Sequence, residues 1–144
     1  MNACFSFFCR DMDAQFRFYQ AVLGMPERVH ERSPIYRSMG TDAMQIGLHA
    51  EPAYVLLDLG NRAPADDDRF PVTAYPTFFV EAPERVDDAA RRTTQTGGSV
   101  IKGPYATYYG HWQVVVQDPE SHVFRISCTR LPAGVLAPAL VHPV

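Results

Sequence analysis

The feature that most constrains this chain is an order of elements that occurs twice. A strand, a helix and three strands are predicted up to about residue 50, and the same order returns from about residue 73. In residues 2–9, Ala3, Phe5, Phe7 and Cys9 fall on one face and Cys4, Ser6 and Phe8 on the other, the period of a strand. Asp11 can cap a helix, along which Phe16, Tyr19, Val22 and Leu23 recur at helical spacing. Gly24 ends that helix and Pro26 prevents its resumption. Strands follow at about 26–32, 34–39 and 43–49, broken by Ser33-Pro34 and Gly40-Thr41-Asp42. The second half reads as a strand at 73–81, a helix at 84–96 ended by Gly97-Gly98, and strands at 99–102, 111–117 and 122–128. Asp11 and Gly24 stand thirteen residues apart, as do Glu84 and Gly97. The offset of 73 lays Phe5 over Phe78 and Cys4 over Thr77.

A chain of 144 residues supports one domain. Its parts are a first module over about 1–60, a polar linker over about 60–72 with three consecutive aspartates, a second module over about 73–128, and a proline-bearing tail at 129–144. The stretch 52–59 opens with Pro52 and closes before Gly60, which suits a short helix but also allows a strand. Net charge is −3 with no basic run, which argues against nucleic-acid binding. The N-terminal apolar stretch is too short for a signal sequence or a membrane span. Three cysteines at no ligand spacing read as reduced thiols, so a cytoplasmic location is expected. No phosphate loop, dinucleotide fingerprint or G-x-S-x-G is present.

Two segments carry a resemblance. D-M-D-A-Q-F-R-F-Y-Q-A-V-L-G at 11–24 resembles the helix motif of the vicinal oxygen chelate superfamily, which includes glyoxalases, bleomycin-resistance proteins and dioxygenases. D-P-E-S-H-V-F-R-I at 118–126 resembles the hairpin before its last strand, with Ser121 where a glycine is usual. The resemblance implies an α+β fold in which two βαβββ modules form a cupped mixed sheet with helices outside, in a module-exchanged homodimer. It also implies where metal-dependent relatives hold their ion. Here those places carry Cys4, Gln45 or Gly47, a position near Thr77, and Arg125. A guanidinium is permanently charged and has no lone pair to donate. No metal, no cofactor and no catalytic residue is therefore expected.

Alternation then assigns faces. Phe124, Ile126 and Cys128 are predicted to pack under the helices, leaving Val123, Arg125 and Ser127 toward the cup. Tyr75, Thr77, Phe79 and Glu81 share a face, as do Gln45, Gly47 and His49. The run GPYATYYGHW crowds Tyr105, Tyr108, Tyr109 and Trp112 beside two glycines. The segment 101–128 also resembles metal-free antibiotic-binding resistance proteins, including phenazine-resistance proteins. The expected ligand site is thus Gln45, His49, Phe79, Tyr108, Tyr109, Trp112 and Arg125. The expected function is non-catalytic sequestration of an aromatic small molecule, in particular an antibiotic. The alternatives are a metal-dependent or cofactor-free lyase, isomerase or dioxygenase of the same fold, or an accessory protein in natural-product biosynthesis.

Overall fold

A computed structural model describes residues 1–65 and 71–140. Strand β1 (Ala3–Cys9) leads to helix α1 (Met12–Leu23), strands β2 (Tyr36–Gly40) and β3 (Met44–Ala50), and a one-turn helix α2 (Ala53–Leu56). The second module comprises β4 (Thr77–Phe79), helix α3 (Pro83–Gln95), β5 (Ser99–Ala106), β6 (Trp112–Gln117) and β7 (Val123–Cys128). Two βαβββ-like modules are thus present, each with a mixed sheet. Sheet one has the order β1-β3-β2 and sheet two the order β4-β7-β6-β5. In each, the first strand runs parallel to the last strand of its module.

The predicted helix ends are observed. The Asp11 side chain accepts from the Ala14 amide, and Gly24 closes α1 at φ 66°, a left-handed conformation that glycine adopts without a Cβ clash. Pro83 starts α3, at the position where a missing N–H breaks no helical hydrogen bond. Gly98 serves packing instead. A Cβ there would lie 2.5 Å from the Gln117 carbonyl oxygen and 2.7 Å from the Phe18 ring. Because one of these neighbours is backbone, Gly98→Ala is expected to destabilise by about 1–3 kcal/mol through overpacking, read as a lowered urea midpoint. An unchanged midpoint would refute that close approach.

Four predicted elements differ in extent. The strand expected at 26–32 is reduced to a bridge between Glu27 and Met39, followed by a 3-10 turn at Val29–Glu31. That turn brings the Glu31 carboxylate to Arg28 and to the Ser38 hydroxyl, interactions an extended segment would forgo. Strand β4 is shorter than 73–81 because Pro76 has no N–H to give to a ladder. Strand β5 runs through Gly103-Pro104 to Ala106, its register shifting between Val100 and Tyr105, where a loop was expected. The 52–59 stretch is helical only over Ala53–Leu56, and Gly60 opens a separate 3-10 turn.

Helices α1 and α3 pack on each other, α1 against sheet one and α3 against sheet two. Buried side chains of all four layers form one cluster, with Met39, Ile46 and Leu48 from sheet one and Val114, Phe124 and Ile126 from sheet two. The helices therefore lie between the sheets, and each sheet turns its other face away from the shared core. No strand of one sheet is hydrogen-bonded to the other among the described residues. The single cupped sheet with helices outside does not form within one chain, since the free edges of β1 and β4 stand on either side of a cleft.

A polar joint crosses the modules. Asp118, fully buried in the β6–β7 turn, accepts from the Tyr19 hydroxyl (2.7 Å) and the Gln15 amide (2.7 Å) of α1. It also bonds His122 Nδ1 at 2.8 Å and accepts from the amides of Glu120 and His122. The Glu120 carboxylate in turn accepts from the amides of Arg10 and Asp11 at the start of α1. No helix among the described residues is long and apolar enough to cross a membrane.

Candidate functional site

The outward face of sheet two is built from β7 upward. Its alternation buries Phe124, Ile126 and Cys128 and turns Val123, Arg125 and Ser127 outward. Register sets Thr77 and Val115 on either side of Arg125, and Phe79 and Gln113 on either side of Ser127. Arg125 Nε donates to Thr77 Oγ1 at 2.9 Å, and a terminal nitrogen reaches the Tyr109 hydroxyl at 3.5 Å. The guanidinium carbon lies 4.8 Å from the Tyr75 ring centroid.

Around this cation the polar groups orient one another. The Tyr109 hydroxyl donates to Gln113 Oε1 at 3.1 Å, and Gln113 Nε2 donates to the Tyr105 hydroxyl at 2.6 Å. The His111 ring stands 4.7 Å from Tyr109 and 6.1 Å from Phe79, with its Nδ1 3.3 Å from Ser127 Oγ. The turn after β5 presents these rings, because the Thr107 hydroxyl accepts from the His111 amide and fixes the return of the chain. Tyr108 meets Tyr109 edge-on at 5.0 Å. Phe79 is 64% exposed, an apolar ring left in solvent beside the cation.

Of the predicted site residues, Phe79, Tyr108, Tyr109 and Arg125 gather on or beside this face. Trp112 does not. It lies on the helix side of β6, packed against the core, with its indole N–H donating to Asp87 of α3 at 2.8 Å. Its parity explains the placement, since Trp112 alternates in step with buried Val114 and Val116. Gln45 and His49 lie on the outward face of sheet one, away from Arg125 across the core.

That second face carries groups the sequence reading missed. Tyr36 lies across Gly47, where a Cβ would stand 2.8 Å from its hydroxyl oxygen. The Tyr36 ring is 4.7 Å from His49, His49 is 5.8 Å from Phe8, and Phe8 stacks on Tyr54 at 3.7 Å. The signal was the glycine inside a strand, which marks a close approach. Burial holds the His49 pKa below its ordinary value, so its imidazole is neutral at neutral pH. Burial, with the Cys4 side chain beside it, raises that of Tyr36, so its hydroxyl stays protonated.

The places where metal-dependent relatives would bind their ion can be compared with these contacts. Cys4 pairs with Gln45 and Thr77 with Arg125. Thiol, amide, hydroxyl and guanidinium do not make a donor set for a divalent ion, which wants imidazole, carboxylate or thiolate together. Among the described residues no three His, Cys, Asp or Glu side chains converge. These residues do not fit a metal centre of that kind.

A cleft of about 550 Å³ opens between the free edges of β1 and β4, over the C-terminal end of α1 and one side of α3. Phe5, Val22, Met44 and Phe78 line it, and Thr77 and Phe79 join it to the Arg125 face. Phe5 at its rim is 44% exposed.

The family model described as the Glyoxalase/Bleomycin resistance protein/Dioxygenase superfamily matches residues 3–126. A crystal structure of a glyoxalase/bleomycin resistance protein/dioxygenase family enzyme from Burkholderia phytofirmans PsJN is similar at 36% identity and a TM-score of 0.78. The match covers 88% of this chain and 96% of that one. A glyoxalase-related enzyme from Fulvimarina pelagi shares 20% identity at a TM-score of 0.66, covering 89% and 87%. Lactoylglutathione lyase from Agrobacterium tumefaciens shares 16% at 0.59, covering 89% and 92%. At those identities the last two show the fold alone. No curated protein matches the chain.

Proposed function

Because this chain belongs to the glyoxalase/bleomycin resistance protein/dioxygenase superfamily, we propose that it takes an aromatic small molecule on the outward face of sheet two. The observation that carries this reading is the Arg125 guanidinium, seated on Thr77 among the rings of Tyr75, Tyr109 and Phe79. Burying about 300 Å² of a planar ligand gives roughly 7 kcal/mol of transfer free energy. Association costs about 4 kcal/mol or more. Micromolar binding needs about −8 kcal/mol. Ring contacts of about 0.5–1.5 kcal/mol each, together with the polar anchor, close that gap.

A module-exchanged homodimer belongs to this proposal. The free edges of β1 and β4 and the exposed Phe5 suit a second copy, whose sheet-one face would stand opposite Arg125. Gln45, His49 and Tyr36 of that copy would then supply the other wall. With three free cysteines, a reducing cytoplasmic setting is consistent.

The bound molecule is either held, as the sequence suggested for an antibiotic-sequestering protein, or transformed. The comparisons favour transformation, since the relative at 36% identity is described as an enzyme. Chemistry carried by the chain's own residues would use neutral His49, the Tyr36 hydroxyl and the Arg125 charge.

Phe79 offers the test. Its exposure means that Phe79→Ala should move stability by no more than about 0.5 kcal/mol. Affinity for a planar aromatic compound, measured by calorimetry, should fall about 3–10-fold. Unchanged affinity, or no binding of any planar aromatic compound at millimolar concentration, would overturn the site. Mass spectrometry of the compound after incubation separates the readings. A new product supports an enzyme, and unaltered compound supports holding.

A further inference from the structure

We infer that the ligand of the Arg125 face is an anion, specifically a planar aromatic carboxylate whose carboxyl group bridges the terminal nitrogens of Arg125. This rests on the binding proposed above and narrows it to one chemical class.

The argument begins with how this chain treats its half-buried arginines. There are three among the described residues: Arg28, Arg37 and Arg125. Arg28 is paired with Glu31 and Asp42, and Arg37 with Glu27 and Asp13. Each of these guanidiniums thus has carboxylates to offset the loss of water. Among the described residues Arg125 has only neutral partners, the hydroxyls of Thr77 and Tyr109 and the face of Tyr75. A cation partly withdrawn from solvent without a counter-charge carries an uncompensated desolvation cost. An anion arriving there is correspondingly favoured.

The described residues of the three strands around Arg125 do not supply that charge. Along β4, β6 and β7 the outward-facing positions carry hydroxyl, amide, aliphatic and aromatic side chains, and none is acidic. A second cation of the face, Lys102, lies over the Tyr105 ring at 4.2 Å. The charges that these strands themselves present on the face are therefore both positive, although the whole chain is at −3.

Geometry selects a carboxylate over a single acceptor atom. A guanidinium has five N–H donors in a planar fork. Thr77 takes the Nε donor, and Tyr109 takes one terminal donor at the long distance of 3.5 Å. The Tyr109 hydroxyl proton is directed at Gln113, so that oxygen turns a lone pair toward the guanidinium and does not compete as a donor. The remaining terminal N–H groups match two carboxylate oxygens in parallel, the strongest neutralising contact arginine makes. Tyr75, on the guanidinium face, and Phe79, in the neighbouring row, then fix where the aryl body can lie.

The test uses the full chain and two isosteric probes, 2-naphthoate and its uncharged amide 2-naphthamide, titrated by calorimetry at neutral pH and 50 mM salt. Naphthoate should bind at least about tenfold more tightly than naphthamide. Raising salt to 500 mM should weaken naphthoate more than naphthamide. In Arg125→Gln the preference should shrink to within about threefold, naphthoate losing more affinity than naphthamide. In Lys102→Gln the preference should persist. Equal binding of the two probes by the unsubstituted chain would overturn the inference while leaving the aromatic site standing. That is also the result expected if a second copy brings a carboxylate to Arg125. A preference that survives Arg125→Gln would overturn it as well. If neither probe binds, the proposed site fails together with this inference. The comparison of probes on the unsubstituted chain needs no variant to fold.

Discussion

Replacing Asp118 by alanine is expected to lower the stability of this protein by about 4 kcal/mol, more than any surface substitution could. The carboxylate is fully buried and joins α1 to the β6–β7 turn through Tyr19, Gln15, His122 and two backbone amides. Its removal leaves the buried Tyr19 hydroxyl and Gln15 amide without an acceptor, at about 1–3 kcal/mol each, and breaks a buried pair. For a domain of this size that corresponds to a melting temperature lower by about 10 °C. Thermal unfolding followed by circular dichroism checks it, and a fall under 3 °C would show that the joint carries little of the fold.

The same variant has a signature in pH. Burial acts to lower the His122 pKa, but the Asp118 hydrogen bond and negative charge, with Glu120 adding to them, outweigh it and leave the value above the ordinary 6.5. A group whose folded pKa is raised stabilises the fold fully below its unfolded pKa, and that stability is lost as pH rises through the folded value. Unfolding free energy should thus fall as pH is raised from about 6.5 through neutrality. The Asp118→Ala chain should lack that slope.

The second large effect is expected at Phe124. Its ring is fully buried and meets Phe18 and Tyr19 of α1 at 6.2 and 5.4 Å and Phe78 of β4 at 5.9 Å. Phe124→Ala removes the ring on which the two modules close, and the cavity adds to the lost transfer energy. A loss of about 3–5 kcal/mol follows, against about 1–2 kcal/mol for Phe124→Leu, which keeps most of the volume. Urea titration of both variants gives the comparison. Equal losses would mean that ring shape at this position, and not filled volume, sets the stability.

How far the sequence foretold these features depends on whether the signal was local. Asp11 and Gly24 act within a few residues, and the ends of α1 could be read directly. The period of β7 was equally plain, so Arg125 was placed on the outward face before its partners were known. Trp112 was misplaced because the crowding of aromatics in 105–112 outweighed its alternation with Val114 and Val116. Tyr36 escaped notice because its role depends on His49, its partner only through the pairing of β2 with β3, and on the space that Gly47 leaves for its ring. The Asp118 joint was invisible for the same reason. Asp118 read as a turn former, while its partners Gln15 and Tyr19 lie about a hundred residues earlier.

The halves of this chain repeat an order of elements without being independent of each other. Glu120, from the second half, receives the first amides of the helix in the first half. Cut apart, the first half would expose those donors, and in the second the Asp118 carboxylate would lose Tyr19 and Gln15. The shared core and these bonds make one folding unit of the two modules, so loss of either half disarms both.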